Sequence, residues 1–324
     1  MDRHSLITIV GGSGFLGRYV VQELAKTGAR LRVVVRNPQA AQFLKPLGGL
    51  GQVQIVAGDI RSDASMAAAC EGATGVVNLV GILDESGGQR FDAVQAEGAG
   101  RLARAAAAAG AMAFVHVSAI GADPASRSAY GRTKGEGESA VRAAFHGAAI
   151  LRPSIVFGPE DGFLNRFAGL AKLAPFAMPI VAADTKFQPV YVGDVARCVA
   201  AALNDPARFG GQTYELGGPR ALTMRDLIAY ILAETYVSKP IVEIPDVAAG
   251  LMASLFGWLP GAPLTSDQWT MLQSDNVVRG ENGLTAFGVA ATPLEAIAPS
   301  YLVRYRRQGR WATGGASQKA ESRS

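Results

Sequence analysis

Two cysteines, a net charge of only +4 and no apolar run long enough for a bilayer remove several classes of function from this 324-residue chain. Cys70 and Cys198 stand far apart in alanine-rich, helix-like segments, with neither metal-ligand spacing nor a disulfide framework. Both are expected to be small buried hydrophobes in a reducing compartment, and no metal site is expected. Much of the basic excess falls near the end, in Arg304, Arg306, Arg307 and Arg310, which argues against a nucleic-acid partner. The longest apolar stretch, Val247 to Leu264, carries no charge but is broken by Gly250, Gly257, Pro260, Gly261 and Pro263. Its helical part, to about Trp258, would run roughly 18 Å at ~1.5 Å per residue, too short to cross. A strand beginning by about Ser5 leaves no room for a signal or transit peptide, so the expected location is the cytoplasm.

What is there is a globular composition, 49% apolar and 18% charged, with enough apolar material for a sizeable core. Strand-like runs at Leu6–Val10, Arg30–Val35, Val53–Ala57, Gly75–Leu79, Ala113–Val117 and Ala148–Leu151 alternate with helical patterns. The helices are expected at Gly14–Lys26, Ser62–Cys70, Asp92–Ala109 and Ser128–Phe145. This rhythm predicts an α/β fold, a doubly wound parallel Rossmann sheet over residues 1–153, with ligands at the carboxyl ends of the strands. Residues 154–311 predict a smaller α/β C-terminal lobe with segments returning to the main sheet. Its elements are a strand at Gln188–Val192, a helix at Asp194–Leu203, a strand at Thr213–Leu216, a helix at Met224–Thr235 and a last helix at Pro293–Gln308. Residues 312–324, rich in Gly, Ser, Lys and Glu, read as a disordered tail, and there is no internal repeat.

The most informative motif is GGSGFLG, from Gly11 to Gly17, entered directly from the first strand. Gly11 suits a tight strand-to-helix turn, Gly14 lets backbone approach a pyrophosphate, and Gly17 lets the helix pack closely on the strand. The anion then sits on a helix N-terminus, favoured by free N–H groups and the helix dipole. Ser13, Phe15 and Leu16 complete the expected dinucleotide cradle. The second strand ends on Arg36, where an NAD site places an acid and an NADP site a base. A guanidinium there, helped by Arg18, favours NADP(H) over NAD(H), against the plainer reading of a solvated strand-end charge. Asp59 and Ile60 close the third strand; Asp59 either accepts from the adenine amino group or caps the next helix. Val80 and Gly81 end the fourth strand beside the expected cofactor, where a glycine permits close approach.

Tyr130 and Lys134 are four apart on the helix from Ser128 and therefore share a face. A lysine ammonium lowers the pKa of a neighbouring phenol and can also hold the nicotinamide ribose. Taken with the glycine loop, Asp59 and the segment LRPSIVFG from Leu151 to Gly158, these residues resemble the extended and atypical short-chain dehydrogenase/reductases. The segments FGPEDGFLNRFA (157–168), KFQPVYVGDVA (186–196) and FGVAATPLEAI (287–297) are similar to the nucleotide-binding accessory subunits of respiratory complex I and their bacterial relatives. That resemblance spans nearly the whole chain. It implies a tightly held NADP(H), a role for Ser118, Tyr130, Lys134 and Pro153 around the nicotinamide, and partners among complex I subunits or quinone-synthesis proteins.

One departure bears on activity. Reductases of this superfamily place a hydroxyl at the end of strand five, often the second of a Ser-Ser pair, to polarise a carbonyl. This chain reads Val117-Ser118-Ala119-Ile120, which puts Ser118 one or two positions early and leaves Ser126 and Ser128 as stand-ins. The leading expectation is an NADP(H)-carrying accessory or assembly protein whose cofactor is mainly structural. The alternatives are a working reductase of an apolar carbonyl or quinone, with Tyr130 as general acid, and a nucleotide-sensing regulator without catalysis. The segment Val247 to Leu264, with Phe256 and Trp258, reads as a core or lid helix, or as a peripheral contact with the cytoplasmic face of the inner membrane or with an apolar partner. In the membrane reading the terminal arginines and Trp311 assist at anionic lipid.

Overall fold

Six of the apolar runs become parallel strands, and a seventh joins them from the second half of the chain. The computed structural model describes residue 1 and residues 3–257 and 264–307. The strands are β1 (Leu6–Val10), β2 (Arg30–Val35), β3 (Val53–Ala57), β4 (Gly75–Asn78), β5 (Ala113–Val117), β6 (Ala149–Pro153) and β7 (Thr213–Leu216). They form one sheet in the order β7-β6-β5-β4-β1-β2-β3, and every neighbouring pair is parallel. The order reverses between β1 and β4, where Val10 lies opposite Asn78. That crevice, at the carboxyl ends of the strands, is the topological switch point where an open α/β sheet binds ligand.

The strands read as continuous apolar runs because helices cover both faces. On one face α1 (Phe15–Ala25) and α6 (Val192–Asn204) bury Val20, Val21, Leu24, Val195 and Val199 against Ile7, Ile9 and Val33. On the other, α2 (Asp63–Cys70), α3 (Glu97–Ala108) and α4 (Ala129–Ala144) pack on Val10, Val34, Val76 and Phe114. Both cysteines are buried within these layers, and burial pushes the Cys70 thiol up to about 11. The helix expected at Asp92–Ala109 opens instead with a π turn over Asp92–Ala96. The wider turn lets the Gln95 carbonyl approach α4 so closely that a Cβ on Gly137 would lie 2.2 Å from its oxygen.

In the second half, α5 (Leu164–Leu173), α7 (Met224–Thr235) and α10 (Leu294–Leu302) bury Leu164, Leu227, Ile228, Ile231 and Leu302 around Phe157 and Met178. Of the strand expected at Gln188–Val192 only Val190–Tyr191 forms, because Pro189 has no N–H to give a ladder and Val192 begins α6; a separate short strand, Lys186–Phe187, precedes it. The last helix is also shorter than expected. Beyond Leu302 a 3-10 turn covers Val303–Tyr305, and the expected tail at 312–324, with Arg310 and Trp311, lies outside the described residues.

The apolar segment at 247–264 forms α8 (Asp246–Phe256), with Trp258, Pro260, Gly261 and Pro263 outside the described residues. It is an inverted helix: Ala249 and Ala253 are buried, whereas Val247, Leu251, Met252 and Leu255 are exposed. The short helix α9 (Ser266–Leu272) follows, and the Cβ of a residue at Gly250 would stand 3.1 Å from the Trp269 indole nitrogen. Among the described residues no helix is long and apolar enough to cross a membrane. Two of the terminal arginines are spoken for: Arg304 donates to Pro159 and Asn165, and Arg306 donates to Glu234 and stacks 4.0 Å over Tyr236. Glu234 compensates the Arg306 charge, whereas Arg304 stays exposed and has only neutral acceptors among the described residues.

Candidate functional site

The three glycines of the loop differ in what surrounds them. Gly11 takes φ +85°, a left-handed conformation that L side chains rarely adopt, and its N–H donates to Val34 O at 3.1 Å. At Gly17 an added Cβ would lie 2.5 Å from the carbonyl carbon and oxygen of Gly12, so α1 packs directly on the loop backbone. At Gly14, by contrast, the nearest atom is Gly11 O at 3.5 Å, and the space above the residue is open. Gly14 is the N-cap of α1, no side chain caps that end, and the first turn has no acidic residue. The helix thus presents its N-terminus, with Ser13, Phe15 and Leu16 beside it, to the β1/β4 crevice.

Around this loop the strand ends bring the other candidates together. Arg36 is exposed at the end of β2 and forms no ion pair among the described residues, although its charge helps depress the Asp59 carboxyl. Arg18 is not available beside it: the guanidinium pairs with Glu160 at 3.2 Å and lies 5.0 Å over the Phe43 ring. Asp59 does not cap α2 either. That role belongs to Ser62, whose side chain accepts from Ser65. The Asp59 carboxylate is held by Arg61, through Nε at 3.0 Å and the Arg61 backbone N–H at 2.9 Å, and this pairing lowers its pKa to about 2. Ile60 is buried behind it, and Val80 is fixed by its N–H donating to Asn78 Oδ1 at 3.1 Å.

Lys134 reaches from α4 to the end of β5, where its Nζ donates to Val117 O at 3.2 Å. A Cβ on Gly81 would sit 3.3 Å from the same Nζ, so the lysine and the end of β4 meet at the crevice. Burial lowers the lysine from its ordinary 10.5 to about 8, with Glu138 opposing that shift. At this lysine the unfolded chain therefore binds more protons than the folded one between pH 8 and 10.5, and the lysine's contribution to stability rises with pH across that window. Relative to a variant without the lysine, nucleotide-free protein is expected to gain up to about 3 kcal/mol there, at ~1.36 kcal/mol per pH unit, while the raised Cys70 thiol acts in the opposite direction above pH 9 in both proteins. Denaturant titrations of the wild type and Lys134→Met check this: the stability difference between them should move in favour of the wild type by that amount from pH 8 to 10.5.

Tyr130 stands one turn before Lys134, half-buried and edge-on to Phe91 at 6.1 Å. Burial pushes its phenol up to about 12, so the chain's own residues do not produce the lowered phenol pKa that the Tyr-Lys pairing predicts. The phenol stays protonated at neutral pH, the state from which a proton can be donated. Ser118 is buried at the end of β5, and its Oγ has no hydrogen-bond partner among the described residues. Ala119, in the place of the expected second hydroxyl, is the more open of the two. Ser126 lies beside Gly131 in the loop before α4, and Ser128 is the N-cap of that helix, so Ser128 has a structural task of its own. Pro153 ends β6, where its carbonyl accepts from the Ile120 N–H at 3.1 Å.

The sequence reading passed over a polar pair beneath this site. Asn78 and His116 lie opposite each other on β4 and β5, and Asn78 Nδ2 contacts His116 Nδ1 at 3.1 Å. Because Asn78 Oδ1 accepts from Val80, its amide donates, which leaves the imidazole proton on Nε2. That Nε2 and Gln95 Oε1 are buried without hydrogen-bond partners among the described residues. Burial, and then the Lys134 charge, hold the imidazole neutral with a pKa of about 3. The signal was available: a His and an Asn at paired positions inside otherwise apolar strands.

Comparison with known proteins fits this geometry. The sequence profile of the NAD dependent epimerase/dehydratase family matches residues 7–217. The chain belongs to that family. Within it the chain is 36% identical over 316 residues to the protein named NADH dehydrogenase [ubiquinone] 1 alpha subcomplex subunit 9, mitochondrial, of Arabidopsis thaliana, covering 93% of this chain and 78% of that one. It is 33% identical over 205 residues to a protein of Caulobacter vibrioides named ceramide reductase, covering 63% of each. Among solved structures, the NADPH-dependent quinone oxidoreductase of Escherichia coli complexed with NADPH superposes with a TM-score of 0.70 over 91% of this chain and 99% of that one. At 23% identity that likeness is one of fold. In this member of the family the switch-point crevice brings together the Gly11–Gly17 loop, Gly81 and Lys134, with the half-buried Ala119 following the buried Ser118.

Proposed function

We propose that the protein holds NADP(H) at the β1/β4 crevice as a mainly structural cofactor, in an accessory or assembly role at respiratory complex I or in quinone metabolism. The observation that carries this reading is the similarity, along nearly the whole chain, to proteins named as mitochondrial NADH dehydrogenase [ubiquinone] subunits. The replacement of the expected hydroxyl by Ala119, with Ser118 buried, supports a site that binds without turning over. The residues fit a dinucleotide. The Gly11–Gly17 loop with Ser13, Phe15 and Leu16 would hold the pyrophosphate, Arg36 the 2′-phosphate, and Asp59 and Ile60 the adenine side. Val80, Gly81, Ser118, Tyr130, Lys134 and Pro153 would surround the nicotinamide riboside. A nicotinamide supplies hydride when bound. Tyr130 would be its proton donor, and Lys134 would orient the ribose. A nucleotide that binds only the folded state stabilises it by mass action, which requires no turnover.

Purification from native membranes tests the role: the protein is expected to enrich with complex I or quinone-synthesis partners and to carry NADPH that added quinones do not oxidise. Enrichment with neither would remove the accessory role. For the cofactor, Arg36→Asp is expected to weaken NADP+ by tenfold to a hundredfold relative to NAD+, from the loss of a charge-assisted contact worth about 1.5–3 kcal/mol. Titration calorimetry with both nucleotides reads that ratio, and equal losses would count against a 2′-phosphate site.

A second reading, an active NADPH-dependent reductase of an apolar carbonyl, is favoured by the Tyr130–Lys134 pair and by the relative named ceramide reductase. Its test is Tyr130→Phe, which should abolish turnover and leave nucleotide bound.

A further inference from the structure

The helix that carries Tyr130 and Lys134 is capped by a residue distant in sequence. Ser128 caps α4 locally by accepting from Gly131 at 3.1 Å. The two helical N–H groups that follow Ser128, those of Ala129 and Tyr130, instead donate to the Asp267 carboxylate at 2.6 and 3.1 Å, and the Ser128 hydroxyl donates to it at 3.1 Å. Asp267 lies on α9, which begins with its own capping box between Thr265 and Gln268. The next residue, Gln268, donates from Nε2 to Asp84 Oδ1 at 3.1 Å, in the loop that follows β4.

The other end of the same segment is fastened to the strand ends. Asn276 Oδ1 accepts from Ser154 Oγ at 2.7 Å and from Ile155 N–H at 3.2 Å, and its Nδ2 donates to Ile120 O at 3.3 Å. Residues 265–276 therefore run across the carboxyl ends of β5 and β6 from the N-terminus of α4, the side on which ligands of this fold gather. Nothing in α9 is fully buried. Apart from Leu272, which packs half-buried against the core around Phe157, the segment is held by polar contacts, and elements with little buried apolar surface open at low free-energy cost.

We infer that residues 265–276 form a strap that closes the nicotinamide side of the crevice, with Asp267 as its clasp and as the positioning residue for the Tyr130 helix. The strap rests on the nucleotide reading above for what it shields, but the clasp itself does not depend on a nucleotide. Closed, it keeps outside acceptors from the site. Released, it opens the approach to Tyr130.

The test uses the full chain and the variant Asp267→Asn, in which an amide N–H faces the helix N–H groups in place of one carboxylate oxygen. In nucleotide-free protein, hydroxyl-radical oxidation of Tyr130 is expected to rise at least fivefold, with amide exchange faster across 128–131 and 265–276. With NADPH bound, quenching of its fluorescence by acrylamide should rise in step, an effect that the loss of a purely structural cap would not produce. Unchanged Tyr130 oxidation in the variant overturns the strap. So does faster exchange with unchanged quenching. If NADPH does not bind at all, the nucleotide reading fails while the Tyr130 footprint still decides the strap. Should Asp267→Asn not fold, Gln268→Ala releases the Asp84 contact and leaves the α4 cap; a rise in Tyr130 oxidation supports the strap there, and no rise overturns it.

Discussion

Gly14→Ala and Gly17→Ala, two changes three residues apart in one loop, are expected to fail in different ways. At Gly17 the new methyl would be placed 2.5 Å from the carbonyl carbon and oxygen of Gly12 and 2.6 Å from its Cα. These are backbone atoms of the loop itself, so no side chain can swing aside, and α1 must lift off the sheet. Overpacking of this kind costs about 1–3 kcal/mol and more when backbone must move, so a loss of about 3 kcal/mol is expected, with nucleotide binding lost alongside it. At Gly14 the methyl meets only Gly11 O at 3.5 Å, and the residue's φ of −70° and ψ of 178° suit alanine. Folding stability should change by less than about 1 kcal/mol, because the restriction of the unfolded chain by alanine is offset by alanine being a poorer N-cap than glycine. Dinucleotide affinity should nonetheless fall at least tenfold, since the methyl stands where backbone must approach the pyrophosphate. Thermal unfolding without nucleotide and titration with NADPH separate the two effects. Wild-type affinity in Gly14→Ala would show that the loop is not the phosphate cradle.

The same contrast shows why the nucleotide half of the fold was legible. Each of its elements is announced locally: the strands by apolar runs buried on both faces, α2 and α4 by Ser62 and Ser128 at their N-caps, the loop by glycines whose spacing follows from one turn and one close approach. Observed strand bounds differ from the expected ones by no more than two residues. Reading fails where a contact is long in sequence. Arg18 was assigned to a ligand phosphate because Glu160, its actual partner, comes from the far side of β6. Asp59 looked free because an arginine two residues on can turn back to hold it, which spacing alone does not foretell. Asp267 carries no motif beyond a helix start, yet it reaches the Tyr130 helix from more than 130 residues away. The Tyr130 phenol was expected to be lowered by Lys134, but burial dominates and raises it, and burial is a tertiary quantity.

The segments that carried the narrower resemblance prove to be joints between elements. In 157–168, Gly158 N–H and Tyr301 OH both donate to Asp161 Oδ2, at 3.2 and 2.7 Å, and Glu160 accepts from Tyr19 OH at 2.8 Å. The C-terminal helix, the loop after β6 and α1 thus meet at two neighbouring carboxylates. Contacts of this kind join elements of the fold and do not themselves point to a reaction.

Asp194, in the segment 186–196, is the joint with the largest expected cost. It is fully buried at the start of α6 and accepts from Thr292 N–H at 2.7 Å, Thr292 Oγ at 2.9 Å and Arg197 Nη2 at 2.5 Å. Arg197 is nearly half exposed, so its charge can return to water and the ion pair itself contributes little. The cost of Asp194→Ala comes from the two bonds to Thr292, each worth about 1.5–3 kcal/mol because the acceptor is charged, and from the cavity left in α6. A loss of about 4 kcal/mol follows. Asp194→Asn keeps one acceptor for the Thr292 N–H and should lose roughly half as much. The damage should spread along the chain held by Thr292. Just before it, Phe287 stacks on Phe209 at 4.4 Å and meets Tyr214 of β7 at 4.7 Å; just after it begins α10. Amide exchange should therefore quicken across 283–305 and at the β7 edge, while β1 and the Gly11–Gly17 loop keep their protection. Denaturant unfolding measures the total and exchange its location. A loss below 1 kcal/mol, or exchange that quickens evenly across the sheet, would mean that Asp194 does not hold the C-terminal segment to the fold.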